Sequence, residues 1–459
     1  MIGSAPPTSG SDEHVPVDSP PSPSSLLTLA GHVADLAWRE VPAEVQDRTL
    51  LVLFDTLGVM LAGAQTAEVR KLAAQFDDEG PAVLVGFDRT SSAEAACWVN
   101  GAAVCSLELD EGSKYAKGHP AAHVVPAALA AGAQQRGSDW LAAVLAGYET
   151  AARFGRATRL ASGVHPHGTW GATGAAAAAG RLIGLDRDGV AVAIDSAAGL
   201  TLAPHFETAL SGNPVRNLWV GAANNAGLAA ARLASAGIGV AAGTASFTFG
   251  RILGDFDPVT LAVPFNERFE ILAGYFKRHA ACAYTHAAAD AVLALRSEGP
   301  PEGDVVETIT VETYRIAATL DRIEVPTRLA AMFSIPYVVA VTLLEGAFGP
   351  EATAAARRAD PEVLNLAAKV DVVASDEFEA RLPDQRGARV TVRMKDGSTR
   401  TANVDQPVGD AAHRPLGWGD VRNKVADLIG HDRAKRLQRV VAALPDQPVD
   451  RLIEELRKS

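Results

Sequence analysis

Runs of alanine and glycine recur along the first 270 residues and restrict how this chain can fold. Three of these runs, at residues 171–182, 190–200 and 221–234, have the length and composition of helices. Helices with small side chains can bring their backbones close together, so these segments are expected to pack against one another. No fixed repeat length separates them, which favours a packed helical bundle over a solenoid.

The length of the chain indicates more than one domain. Its 459 residues exceed what one hydrophobic core usually organises, so two domains are expected. Residues 1–24 are rich in proline, serine and acidic side chains, and they lack the basic start and apolar stretch of a signal peptide. They are expected to form a disordered tail. A helical domain is predicted for residues 25–274.

The sequence pattern changes after about residue 276, where β-branched residues begin to alternate with polar ones. Strands are predicted at residues 305–313, 370–373, 389–394 and 399–404. The last two strands flank Asp396 and Gly397, a dipeptide typical of a hairpin turn. A helix is predicted for residues 327–344.

These elements predict a mainly α protein that combines a large all-helical domain with an inserted smaller α+β unit. The α+β unit is expected at residues 275–407. Residues 408–459 return to amphipathic helices and are expected to pack back on the helical domain. The hinges near Gly274 and Pro407 would then lie beside a cleft, and clefts between domains are favoured positions for small-molecule sites.

Charge and cysteine content exclude several classes of protein. The net charge of −12 argues against a surface built for nucleic acid, which needs clustered lysine and arginine. Three unpaired cysteines, with no C-x-x-C spacing, fit a reducing compartment, so a cytoplasmic location is expected. No apolar run reaches about 18 uncharged residues, the length that a membrane span requires, and no membrane association is expected.

One stretch, residues 107–126, carries a high density of titratable side chains between two small-residue segments. It contains Glu108, Asp110 and Glu111, two lysines, and then His119 and His123. Burial and neighbouring charge can move the pKa values of such groups toward working pH, as proton transfer requires. The alternative interpretation is a solvated charged loop.

Three further segments carry histidines or cations. His165 and His167 lie between glycines ahead of a helix, where free backbone N–H groups can meet an anion. Arg216 precedes another small-residue helix and suits bidentate carboxylate recognition. Lys277 and Arg278 lie at the proposed hinge. The alternatives are structural histidines and surface salt bridges.

Several chemistries leave no motif in this sequence. G-x-S-x-G, the P-loop and H-E-x-x-H are absent, and the three cysteines are not spaced for an iron–sulfur cluster. Gly237, Gly239 and Gly243 only approximate a dinucleotide loop and are better explained by a helix C-cap. No metal or cofactor is therefore predicted. The histidines and cations fit a lyase or isomerase that moves a proton next to a carboxylate.

Four blocks of sequence carry a family resemblance. They are, in order, LELDEGSKYAKGHPAAHVVPAALA, GVHPHGTWGATGAAAAAGRLIGL, RNLWVGAANNAGLAAARLASAGI and YFKRHAACAYTHAAADA. Together they resemble the successive blocks of the MmgE/PrpD family, which includes 2-methylcitrate dehydratase, cis-aconitate decarboxylase and iminodisuccinate epimerase. The resemblance implies a large helical domain carrying a smaller α+β lid, a homodimer, and a cofactor-free site between the two domains.

The resemblance also implies roles for individual residues. By position, the family's acidic motif falls on Asp110 with Glu111, its loop histidine on His119, its second histidine on His165 and its lysine near the lid on Lys277. These residues, apart from Glu111, are the predicted catalytic set. The predicted substrate-binding residues are Arg216, His167, Arg278 and Cys282.

Two positions depart from the cis-aconitate decarboxylases within the family. Arg216 stands where those enzymes present a lysine, and Cys282 stands where they carry a histidine. Both departures argue against a decarboxylase. At Arg216 the reason is that a permanently protonated guanidinium is a poor proton donor or base.

The expected function is a cofactor-independent acid/base lyase that acts on a di- or tricarboxylate, in the manner of 2-methylcitrate dehydratase. One alternative is an epimerase of an amino- or hydroxy-dicarboxylate such as iminodisuccinate, and another is cis-aconitate decarboxylase. A third is a carboxylate-binding protein without catalytic activity. In each case the expected partner is a small di- or tricarboxylate.

Overall fold

Small-residue helices build the larger part of the molecule, as the sequence predicts. The computed structural model describes residues 24–132, 134–299 and 305–458. The predicted N-terminal tail, apart from Ser24, lies outside these residues. We call the part formed by residues 24–276 the helical body. Its helices are α1 (Ser24–Asp35), α2 (Ala43–Gly63), α3 (Ala67–Ala73), α4 (Ala93–Cys105), α5 (Val125–Ala131), α6 (Gly137–Ala157), α7 (Gly171–Leu182), α8 (Arg187–Gly199), α9 (Glu207–Leu210), α10 (Leu218–Ser235) and α11 (Thr244–Phe247).

Glycines at helix crossings explain why the body can pack so closely. A Cβ atom added to Gly101 of α4 would lie 2.6 Å from the Cα of Gly221 in α10. A Cβ atom on Gly174 of α7 would lie 2.6 Å from the carbonyl oxygen of Gly147 in α6. Backbone meets backbone at both crossings, so larger side chains do not fit there. The predicted mainly α fold is confirmed.

Short strand pairs join loops within the helical body. The strands are β1 (Ala82–Val83), β2 (Thr90–Ser91), β3 (Gly112–Ser113), β4 (Thr158–Leu160), β5 (Gly254–Phe256) and β6 (Gly274–Tyr275). β1 pairs with β2, β3 with β6, and β4 with β5, all antiparallel. The pairing of β3 with β6 ties the acidic stretch to the segment that leads out of the body.

A four-stranded sheet forms the centre of the second part of the chain, residues 280–404, which we call the α+β unit. Its strands are β7 (Val306–Thr313), β8 (Val370–Ala374), β9 (Ala388–Met394) and β10 (Thr399–Val404), in the order β10-β9-β7-β8. β7 and β8 run parallel, while the other pairs are antiparallel. β9 and β10 form the predicted hairpin, with Thr399 opposite Arg393.

Helices cover the sheet of the α+β unit. They are α12 (His286–Ser297), α13 (Arg315–Ala318), α14 (Arg328–Met332), α15 (Ile335–Glu345), α16 (Ala355–Arg358), α17 (Pro361–Ala367) and α18 (Asp376–Glu379). The single helix predicted for residues 327–344 is wrong, because α14 and α15 are separated at Phe333 and Ser334. Ser334 caps α15 by accepting the Tyr337 N–H at 3.1 Å, and Pro336 sits in the first turn, where its missing N–H costs nothing.

Three C-terminal helices, α19 (Trp418–Ile429), α20 (His431–Ala443) and α21 (Asp450–Arg457), return to the helical body. Buried apolar residues between 421 and 456 belong to the same core as most of those between 26 and 276. A second core contains the buried apolar residues of the α+β unit, together with Val59, Leu107, Leu109 and Ala209 of the body. Lys424 of α19 pairs with Asp55 of α2 at 2.7 Å and donates to the Leu109 carbonyl at 2.6 Å, so these helices brace the acidic stretch. The predicted boundaries at residues 274 and 407 remain predictions.

Helix length and hydropathy decide whether a helix could cross a membrane. Within the described ranges, no single helix is long and apolar enough to cross a membrane, whereas α2 and α3 together satisfy the length and composition criteria but meet at 84°.

Candidate active site

A buried ion cluster lies at the junction of the helical body and the α+β unit. The carboxylate of Glu108 pairs through one oxygen with Arg216 and through the other with Lys277, whose Nζ is 2.9 Å away. All three side chains are almost fully buried. Glu108 has a left-handed backbone (φ 51°), an unfavourable conformation for a non-glycine residue that the two ion pairs offset.

Asp110 and His119 form a second pair beside this cluster. Nδ1 of His119 lies 2.7 Å from the carbonyl oxygen of Glu111 and 3.1 Å from Oδ2 of Asp110. Burial opposes ionisation of Asp110, but His119 and Lys277 outweigh it and hold the pKa of the carboxyl below its ordinary value. The Nδ1–H of His119 donates to the Glu111 carbonyl and lies beside the Asp110 carboxylate, which leaves Nε2 for proton exchange.

Glu111 supports the same histidine from the protein interior. Its side chain is fully buried, and it accepts hydrogen bonds from Tyr148 Oη at 2.5 Å and from the Ala121 N–H at 3.2 Å. Burial raises the pKa of Glu111 to about 8, although the hydrogen bond from Tyr148 acts in the opposite direction. The backbone carbonyl of Glu111 accepts the Nδ1–H of His119 and so holds the imidazole in place. Glu111 is therefore a positioning residue.

Four buried histidines, His119, His123, His165 and His167, form a cluster with His167 at its centre. The ring of His167 lies edge-on to the other three at centroid distances of 4.8–5.3 Å. Burial, followed by the positive charge of Arg216, lowers the pKa of both His165 and His167 well below its ordinary value. These two rings are therefore neutral at pH 7.

Hydrogen bonding sets the tautomer of His165. Its Nδ1 accepts the backbone N–H of His167 at 3.0 Å, so the proton of the neutral ring resides on Nε2. The ring is held between Phe206 and Trp219, at centroid distances of 5.2 and 5.3 Å. His165 is thus oriented as an N–H donor, whereas His119 presents an acceptor nitrogen.

Both histidines line one cavity between the helical body and the α+β unit. Its volume is about 30 Å³, which is room for about two water molecules. The walls consist of Glu108, Lys117, His119, His165, Pro166, His167, Phe206 and Arg216 from the body, Tyr275 of β6 at the junction, and Cys282, Ala283, Tyr284, Phe333 and Arg386 from the α+β unit. A polycarboxylate therefore enters only when these walls move apart.

Five of the eight predicted site residues line this cavity, namely His119, His165, His167, Arg216 and Cys282. Asp110 and Lys277 do not line it and contact it through His119 and Glu108. Burial raises the pKa of Cys282 to about 11, so its sulfur stays a neutral thiol.

The structure places Arg278 elsewhere. Its side chain is about half exposed, lies 3.6 Å from Asp290, and lines a separate cleft of about 1020 Å³. Lys277 also borders that cleft, but none of the four clustered histidines does. Arg278 therefore does not join the other predicted residues. Lys277 is buried and Arg278 is exposed where the chain leaves β6 and enters a bend.

No sequence pattern indicates that Lys117 and Arg386 belong to the site. Lys117 belongs to the titratable stretch, but it was one charge among many. Arg386 precedes strand β9 in a segment without any recognisable motif. Both reach the cavity only through the docking of the α+β unit on the body.

Metal binding has no evident framework in the described part of the chain. Within it, no group of three or more histidine, cysteine, aspartate or glutamate side chains is arranged to hold an ion. Two ring nitrogens of the histidine cluster instead have hydrogen-bond partners. Nδ1 of His123 lies 2.8 Å from the His119 carbonyl, and Nδ1 of His165 accepts the His167 N–H.

Comparison with known proteins matches both parts of the chain. The MmgE/PrpD N-terminal domain matches residues 27–245, and the MmgE/PrpD C-terminal domain matches residues 279–446. Cis-aconitate decarboxylase of Aspergillus terreus is 24% identical over 457 residues, covering 90% of this chain and 91% of the relative. Cis-aconitate decarboxylase of Homo sapiens is 26% identical over 456 residues, covering 91% and 89%.

A third relative matches a shorter stretch. The cis-aconitate decarboxylase-like protein oryM of Aspergillus oryzae is 31% identical over 208 residues, or 41% of this chain and 43% of the relative. The two domain matches occur in order and together cover most of the chain, so the resemblance carried by the four sequence blocks is confirmed. The chain belongs to the MmgE/PrpD family and is an enzyme of the MmgE/PrpD type.

Proposed function

We propose that the protein is a lyase that acts on a small di- or tricarboxylate by proton transfer between its own side chains and the substrate. One observation carries the proposal. His119, backed by a buried carboxylate, and His165, held as a neutral N–H donor, line the same cavity. A base and a hydrogen-bond donor that face one cavity are what removal or addition of a proton next to a carboxylate requires.

His119 is the proposed base. Its Nε2 accepts the substrate proton, and Asp110 stabilises the imidazolium that forms. His165 is the proposed donor to the leaving or developing anionic group, because its Nδ1 is already occupied by the His167 N–H. The buried site strengthens both interactions, since water does not compete for them.

Arg216 and Lys277 have different proposed roles. Arg216 lines the cavity and stands over the ring of Phe333 at 5.2 Å, so it can meet a substrate carboxylate. Lys277 is fully buried between Glu108 and Asp110 and does not line the cavity. We therefore assign Lys277 to positioning the acidic residues.

Dehydration or hydration of a hydroxy acid is the first candidate reaction. His119 can take the proton from the substrate carbon and return it to the leaving hydroxide, while the neutral His165 stabilises that group by donating a hydrogen bond from Nε2. Decarboxylation is the second candidate, because the relatives reported above that span about nine-tenths of the chain are named cis-aconitate decarboxylases. Arg216 and Cys282, which depart from the residues that the family resemblance implies for a decarboxylase, favour the first.

Incubation of the full chain in deuterated water with 2-methylcitrate, citrate and cis-aconitate tests the proposal. Dehydration yields a new double bond, decarboxylation releases carbon dioxide with deuterium incorporation, and NMR with carbon dioxide detection separates the two. Deuterium exchange without loss of water or carbon dioxide would show an epimerase instead. Binding without turnover of any of the three would indicate a non-catalytic protein.

Two variants test the assigned roles. His119→Ala and His165→Ala should each lower kcat by about 100-fold or more, because the first removes the base and the second removes the hydrogen bond to the developing anionic group. His413→Ala is the matched control, since His413 is exposed and distant in sequence from both loops. Full turnover by both site variants would exclude the assignment.

A further inference from the structure

Two cations on the cavity wall lack a carboxylate partner. Arg386 is only 9% exposed, and its Nη2 donates to the Lys114 carbonyl at 2.7 Å. Lys117 is exposed at the cavity, and its Nζ lies 3.4 Å from the Thr158 carbonyl. In the described ranges no aspartate or glutamate oxygen lies within 4 Å of either charged group.

Arg386 differs in this respect from the other buried cations around the site. Arg216 and Lys277 share Glu108, and Lys114 pairs with Asp410 at 3.0 Å. A charge removed from water is costly unless it is paired, so buried cations normally have an anionic partner. The guanidinium of Arg386 instead faces aromatic rings.

These aromatic rings do not neutralise Arg386. Its guanidinium carbon lies 5.9 Å from the ring centre of Tyr275 and 5.7 Å from that of Tyr284. Burial raises the pKa of both phenols, which keeps them uncharged at pH 7. They offer attraction to a cation through their ring faces but no counter-charge.

Lys117 adds a second positive charge to the same wall. Burial first, and then the charge of Arg386, lower the pKa of its ammonium group. Two like charges that face one cavity repel each other, and an anion placed between them removes that penalty. Lys117 belongs to the helical body and Arg386 to the α+β unit, so such an anion would bridge the two parts.

We propose that Lys117 and Arg386 form a subsite for a substrate carboxylate, separate from the proton-transfer groups His119 and His165. The inference rests on the proposed function, which it deepens by requiring a substrate with at least two carboxylates. One carboxylate is adjacent to the carbon that exchanges a proton, and another is held by the two cations. A monocarboxylate cannot satisfy both ends.

Calorimetric titration with tricarballylate tests the subsite. This saturated tricarboxylate has no hydroxyl group to eliminate and no double bond to hydrate, so the measurement does not depend on whether the lyase assignment is correct. The wild-type chain should bind it, and Lys117→Met and Arg386→Met should each raise Kd by about tenfold or more. Arg386→Lys should restore part of the affinity.

Arg393→Met is the matched control. Arg393 lies on β9 of the α+β unit, is about half exposed, and pairs with Glu307 at 2.9 Å. Its replacement should leave Kd unchanged. Because Lys117 is exposed, Lys117→Met tests the subsite even if Arg386→Met fails to fold.

Unchanged affinity in Lys117→Met, or no binding of tricarballylate by the wild-type chain, would overturn the subsite. Tight binding that depends on both cations, combined with no turnover of any polycarboxylate, would retain the subsite and reject the lyase. Turnover with a KM that is insensitive to Lys117→Met would retain the lyase and reject the subsite.

Discussion

Oδ2 of Asp110 lies 3.1 Å from Nδ1 of His119, yet only the histidine borders the cavity. In the proposed mechanism the carboxylate therefore acts on the substrate through the imidazole. The Glu111 carbonyl accepts the Nδ1–H, and the negative charge of Asp110 lies beside it. This separation of roles predicts that replacing Asp110 changes kcat much more than KM.

Asp110→Asn should lower kcat by roughly 100-fold or more, because the imidazolium of His119 loses its neighbouring charge. KM should change little, since Asp110 does not contact the cavity. Steady-state kinetics on the substrate found by the deuterium experiment would check this. Asp188→Asn, at an exposed position on α8, is the control. A large rise in KM with kcat preserved would show that Asp110 binds substrate directly.

Glu108→Gln should destabilise the fold by about 3–5 kcal/mol. The change leaves Arg216 and Lys277 buried without their shared counter-ion, and an uncompensated buried charge is expensive. Urea denaturation would measure the loss. Glu307→Gln removes an exposed ion pair with Arg393 and should cost no more than about 1 kcal/mol. Equal losses in both variants would contradict the buried ion cluster.

Glu111 should make stability depend on pH. Its pKa is raised from 4.5 to about 8 in the folded chain, so the folded state holds a proton that the unfolded state has already released. Its contribution is therefore constant below pH 4.5 and becomes increasingly unfavourable as the pH rises from 4.5 to about 8.

Glu111→Gln removes this titration while it retains an oxygen that can accept from Tyr148. Between pH 5.5 and pH 8, the wild type should lose more unfolding free energy than the variant. Urea denaturation at the two pH values gives the comparison. A difference between wild type and variant that is the same at both pH values would refute the assignment of the raised pKa.

Gly101→Ala should destabilise the helical body by about 1–3 kcal/mol, because the new methyl group meets the backbone of Gly221. Gly419→Ala is the internal comparison. Gly419 lies within α19 and has open space around it, so alanine should be neutral or stabilise by up to about 1 kcal/mol through helix propensity. Thermal denaturation of both variants would distinguish packing from propensity.

Local patterns predicted the parts of this fold that local chemistry determines. The alanine and glycine runs became α7, α8 and α10, and Asp396 with Gly397 became the hairpin turn. The break between α14 and α15 was missed, although Pro336 could have indicated it. The apolar pattern continues across the break and concealed a capping serine.

The candidate site was predictable only where its residues occur in recognisable motifs. His119 and His165 lie in blocks rich in histidine and glycine, and they meet at one cavity. Arg278 is adjacent to Lys277, which favours a shared site, but it lies in a bend where its side chain is exposed. Lys117 and Arg386 line one cavity through tertiary packing across 268 intervening positions, which no local pattern encodes.

The two-residue strands β3 and β6 give the junction a mechanical property. Gly112 pairs with Tyr275, so the predicted hinge segment is paired, strand to strand, with the chain two positions beyond Asp110. A rotation of the α+β unit about Gly274 would displace the same backbone that positions Asp110 and His119. We expect ligand capture and catalytic competence to be switched by a single movement rather than by two independent steps.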